Sequence, residues 1–166
     1  MAHFIFSGVF LVWAAFVATS DIRFRHVSNS LVLAGLVSGL GGAYFNAGPF
    51  GILPAQAMIG LLVGLAAFFP LFLLRVMGAA DVKIFAVIGV WCGAYALLWI
   101  WIAASLAAGI HALAVMLLSR TSIGALRQQG QPAMALGKYR ATPYAACLAA
   151  PAAAWVVFLV ATGGVR

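Results

Sequence analysis

Residues 53–74, "LPAQAMIGLLVGLAAFFPLFLL", run for 22 positions without a charged side chain. A helix of that length rises about 33 Å, enough to cross the roughly 30 Å hydrocarbon core of a bilayer. Four more apolar blocks accompany it, at about 4–20, 30–45, 84–118 and 142–162. Charged residues make up 7% of the chain and hydrophobic ones 66%, with a mean hydropathy of +1.16. A soluble domain carries about 25% charged residues. The chain reads as an all-α integral membrane protein, a single domain over residues 1–166.

The block at 84–118 is too long for one crossing, since its helix would reach roughly 50 Å. "GVWCGAY" (89–95) sets two glycines and aromatic residues inside it, which suits a turn at the membrane interface. Dividing it there gives six transmembrane helices, at about 4–20, 30–45, 53–74, 82–92, 95–118 and 142–162. Basic residues favour this count. With six spans, Arg23, Arg25, Arg75, Lys83, Arg120, Arg127, Lys138 and Arg140 share one side, leaving only Arg166 across the membrane. The positive-inside bias makes that side cytoplasmic, with both termini outside the cytoplasm and a polar cytoplasmic loop at about 119–141.

The net charge of +7 is thereby explained by topology, and no nucleic-acid partner is expected. Cys92 and Cys147 lie in apolar segments without metal-ligand spacing and read as packing residues. The start, "MAHFIFSGVF", lacks a basic signal-peptide region, so the first apolar run is expected to be a retained span. Gly35/Gly39, Gly60/Gly64 and Gly89/Gly93 have the spacing of close helix packing. Pro70 is expected to kink its helix, and His111 to lie satisfied within the bundle.

Only two acids exist, Asp21 and Asp81, and the topology puts both at the cytoplasmic boundary. Each has a plain structural reading. Asp81 can cap the helix that follows it, and Asp21 can pair with Arg23 or Arg25. Yet Asp21 ends a helix, where an anion is disfavoured, and acids near membrane depth usually serve function. If the two meet, they cannot both ionise cheaply and hold one proton between them. Such a pair supplies a base for water and an acid for a carbonyl or leaving amine, with no metal or cofactor. HExxH, GxSxG and phosphate-loop patterns are missing from the sequence. The competing readings are a small proton-coupled transporter and a non-catalytic binder of apolar helices.

Three segments carry a resemblance. "SDIRFRHVSNSL" (20–31), "GAADVKIFAVIGVWCG" (78–93) and "TPYAACLAAPA" (142–152) resemble, in order, three motifs of the type 4 prepilin peptidases. These are an Asp-basic…Ile-Pro-Asn segment, a Gly-x-Gly-Asp-Val-Lys signature with a following Gly-Leu-Trp-x-Gly, and a Pro-Tyr/Phe-Gly-Pro-x-Leu start of the last span. The resemblance implies an aspartyl peptidase of the bacterial inner membrane with periplasmic termini, working without cofactor or metal. Asp21 and Asp81 fall at its catalytic pair. Its substrates would be prepilins and pseudopilins, whose short basic leader precedes a glycine and an apolar helix. Lipids would be its other partners. The absence of an N-terminal domain with paired CxxC motifs resembles the minimal form associated with tight-adherence (Flp-type) pili, for which methylation is not expected. A non-catalytic pilus-assembly component is the corresponding alternative.

Asn29, Gly78, Ala80 and Lys83 are the supporting candidates. Asn29 could bond a carboxylate or the peptide, or cap the second span. Lys83 lies about 200° around the helix from Asp81, so a lipid phosphate suits it better than the pair. Ala80 replaces the signature's second glycine and Ser28 its proline. A positive φ at Ala80 would cost roughly 1–2 kcal/mol and loosen Asp81.

Overall fold

The computed structural model describes residues 1–24, 26–75, 77–119 and 144–164. Among these the protein is all-helical: α1 Ala2–Phe24, α2 Asn29–Tyr44, α3 Pro54–Leu73, α4 Ala79–Ser119 and α5 Tyr144–Ala161. α1, α3, α5 and the 79–114 stretch of α4 are long and apolar enough to cross a membrane, whereas α2 is a shorter apolar helix of 16 residues. Helix is forced on such sequences, because hydrocarbon offers no partner for a free backbone N–H or C=O. The expected loop at 119–141 and its basic residues, together with Arg25 and Arg166, fall almost wholly outside the described residues.

Local chemistry fixes the helix starts. Ser28 caps α2, its Oγ accepting the Leu31 N–H at 3.3 Å, so the residue standing where the resembled family has proline supplies the cap. Pro54 opens α3 at a position where no amide is needed, and Gln56 Oε1 accepts the Leu53 N–H at 3.0 Å. Pro70 lies inside α3, one turn before its end. Arg75 follows with φ 57, a left-handed residue that turns the chain out of the helix.

α4 is interrupted at Gly93, where φ is 72 and ψ 171. Only glycine reaches that region without strain. The chain doubles back there, as three contacts reveal. A Cβ on Gly89 would lie 3.2 Å from the Leu97 side chain. The ring of Phe68 meets both Phe85 and Trp101. Farther along, Ser105 reaches Tyr144, which lies within electrostatic range of Asp81. Residues 79–92 and 94–119 are thus antiparallel limbs.

The first limb is the axle of the bundle. Ile84, Ile88 and Val90 are fully enclosed, and Phe85, Val87, Trp91 and Cys92 nearly so. α3 packs on it backbone to backbone. A Cβ on Gly60 would strike the Gly89 carbonyl, and one on Gly64 would sit 2.8 Å from Ala86 Cα. In lipid, where apolar burial between helices gains little, such van der Waals contact is what holds helices together. Two tryptophans fasten α2. Trp13 Nε1 donates to Leu31 O and Trp91 Nε1 to Gly35 O, each at 2.9 Å, with Gly35 and Gly39 leaving room for the rings. The GxxxG glycines therefore serve close packing, while Gly93 also makes the turn.

α5 packs against α1 and α4. His111, expected in the core, is exposed. The second limb runs past the bundle: Ala104 is its last fully buried residue, and residues 109–114 are all exposed. The apolar side chains exposed around the rim, including Phe4, Val12, Leu33, Leu62 and Phe158, are what a lipid-facing surface requires.

Candidate active site

One end of the bundle gathers the end of α1 and the starts of α4 and α5. Asp21 sits in the last full turn of α1, because that helix continues to Phe24 rather than stopping near residue 20. It is 8% exposed, and its Oδ2 accepts the backbone N–H of Ala146 at 2.9 Å. Among the described residues no ion pair joins it to Arg23; Arg25, the other partner expected for it, lies outside them.

Asp81 is the third residue of α4. From that position its carboxyl reaches back toward the amide of Gly78, the arrangement by which acids at this position satisfy a helix start. The Ala145 amide approaches the same carboxyl from α5. Asp81 also lies within electrostatic range of Asp21. The two acids of the chain are therefore brought to one end of the bundle, where the Ala146 amide of α5 bonds Asp21 and the Ala145 amide approaches Asp81.

The supporting candidates separate. Gly78 is in contact with the site, since a Cβ on it would sit 3.3 Å from Asp81 Oδ2. Ala80 is helical and packs against the core; the positive-φ non-glycine residues described are Asn46 and Arg75, so no left-handed cost arises at residue 80. Asn29 and Lys83 touch each other: Lys83 Nζ donates to Asn29 Oδ1 at 2.9 Å. That contact removes the capping role from Asn29, which Ser28 performs, and turns Lys83 toward α2.

A cluster of aromatic rings leads from α3 to Tyr144 at the start of α5. Phe68 stacks on Phe85 at 4.0 Å and lies 6.4 Å from Trp101 and 6.2 Å from Tyr144. The Tyr144 hydroxyl meets Ser105 Oγ at 3.3 Å. Cys147 is within electrostatic range of both aspartates. Ala145 and Ala146 are the participants that sequence reasoning missed, because a backbone donor has no letter of its own. The available signal was topological: the last helix begins at the layer where both acids lie, and its first amides need acceptors.

Among the described residues no group of three or more His, Cys, Asp or Glu gathers to hold a metal. A cavity of about 570 Å³ lies at the opposite end, lined by Phe50, Ile52, Gln56, Cys92, Tyr95 and Trp155 among others. It takes no part in the carboxylate site.

The fold and site describe a multi-pass membrane protein with both of its acidic side chains at one end of the bundle. The model of the type IV leader peptidase family matches residues 8–113, which include both aspartates, and the chain belongs to that family. No match was found among curated proteins or solved structures. The family match ends before α5, so the amides at Ala145 and Ala146 come from a part of the chain it does not cover.

Proposed function

We propose that this protein is an aspartyl endopeptidase that removes the short basic leader of Flp-type prepilins at the cytoplasmic face of the bacterial inner membrane. The observation that supports the reading is the placing of Asp21 and Asp81, the only acids in the chain, at one end of the bundle, where the Ala146 amide of α5 bonds Asp21. Membership in a leader peptidase family supplies the reaction class.

The chemistry follows from the pair. One carboxylate, ionised, takes a proton from water as the oxygen attacks the scissile carbonyl carbon. The other, protonated, gives its proton to the carbonyl oxygen. Collapse of the tetrahedral adduct breaks the C–N bond: the proton held by the first carboxyl passes to the leaving amine, and a hydroxyl of the adduct returns a proton to the second carboxyl as the new acid forms. The cycle consumes one water and needs no metal or cofactor. Gly78 gives the Asp81 carboxyl room. Ala80 packs the start of α4, and the Asn29–Lys83 pair holds α2 beside it.

The six-span arrangement is part of the same reading. The reversal at Gly93 supports counting α4 as two crossings, and the positive-inside bias of the sequence, with eight of nine basic residues on one side under that count, favours periplasmic termini. A transporter would want its acids near the midplane, and these lie where helices begin and end.

The test is co-expression with a Flp-type prepilin, following the leader by gel mobility, with Asp21→Asn and Asp81→Asn beside the native chain. Loss of processing in both variants, at normal membrane levels, is the expected result. Processing that survives either substitution removes the dyad reading.

A further inference from the structure

The first amides of a helix have no acceptor within it. In α5 two of them are directed outward at acids from other helices: Ala146 N–H donates to Asp21 Oδ2 at 2.9 Å in a buried contact, and Ala145 N–H approaches the Asp81 carboxyl. The acids come from α1 and α4, while the donors are adjacent on one backbone. Successive helical amides are offset by about 1.5 Å along the axis and 100° around it, a spacing no rotamer change can alter. The start of a helix also carries partial positive charge, which favours ionised carboxylate nearby.

We propose that the first turn of α5 is the positioning element of the catalytic pair: the Ala145 and Ala146 amides set where the Asp81 and Asp21 carboxyls lie relative to each other. This deepens the peptidase reading and rests on it. The alanine methyls contribute nothing to the hydrogen bonds, so side-chain scanning passes over these positions. The working group is the peptide N–H, and it must be removed to be seen.

Amide-to-ester replacement does this, with lactic acid in place of alanine at 145, 146 or 149, in the full chain made by cell-free synthesis into lipid nanodiscs. Ala149 is the control. It is buried in the interior of α5, where its amide belongs to the helix ladder and faces no carboxylate. The ester there removes a helix hydrogen bond, whereas at 145 and 146 no ladder bond is lost. The probe is a synthetic peptide with a basic leader, a glycine and an apolar helix.

The expected result is a fall in kcat of about tenfold or more at 146, and a smaller fall at 145, with KM unchanged. The ester at 149 lowers the melting temperature and leaves kcat near that of the all-amide protein. A kcat at 146 within twofold of the all-amide value, or a loss at 149 as large as at 146, overturns the proposal. If the all-amide protein leaves the peptide uncut, or Asp21→Asn cuts it equally well, the peptidase reading fails and the positioning role falls with it.

Discussion

Lys83 and Asn29, 54 positions apart in sequence, are joined by a 2.9 Å hydrogen bond from Nζ to Oδ1. The bond ties the start of α2 to the first turns of α4, two residues from Asp81. Both residues are exposed, so its worth is modest, about 0.5–1 kcal/mol. In a double-mutant cycle of Asn29→Ala and Lys83→Met, thermal melts in detergent are expected to yield a coupling of that size. Coupling indistinguishable from zero would make the contact incidental.

Gly78 leaves little space beside Asp81. A methyl group there would approach Oδ2 to 3.3 Å, so the carboxyl must yield by a few tenths of an ångström. Gly78→Ala is expected to lower leader cleavage several-fold while membrane level and melting temperature stay near native. Gly78→Val should lose more. Unchanged turnover in both would mean that Asp81 tolerates displacement.

Gly93 is bound to its residue by backbone angle. At φ 72 and ψ 171 any other residue costs about 1–3 kcal/mol. Gly93→Ala is expected to lower the melting temperature accordingly, and the bulkier Gly93→Val further. An alanine variant as stable as the native chain would show that the turn can be made another way.

Gly60 and Gly89 face each other across α3 and α4 with no room for a side chain between them. Gly60→Val and Gly89→Val must part the backbones, and folded protein recovered from membranes should drop sharply. Gly8 has nothing within 4 Å of a Cβ, so Gly8→Ala in the same assay should be silent. Equal yields from all three would contradict the contact.

Helix positions were legible because hydrocarbon leaves the backbone one solution and apolar length reports it. The run at 53–74 became α3 at Pro54–Leu73, and the glycine-aromatic stretch at 89–95 contains the break at Gly93. α1 outran its hydropathy, since a helix can carry Asp21 and Arg23 in its final turns once Asp21 has a partner. The gathering of the two acids at one end agrees with the common level expected for them from the apolar blocks. What holds the acids could not be read, because the donors are main-chain atoms of two alanines. The Asn29–Lys83 contact depends on the register between separate helices, which no local pattern records. His111 was misplaced for a related reason: its apolar neighbours suggest a core, but depth along the second limb decides exposure, and that limb outruns its neighbours.

The early reversal at Gly93 leaves the first limb of α4 with 14 residues, 79–92, a rise of about 21 Å where hydrocarbon measures about 30 Å. A lipid-facing helix so short would thin the bilayer around it. This limb is sheathed by its neighbours, so the shortfall is met by protein rather than by lipid. Asp81, half-buried, stands at the start of this short limb. On the peptidase reading, a short limb enclosed by protein would let water meet a carboxylate beside a membrane helix without distorting the lipid.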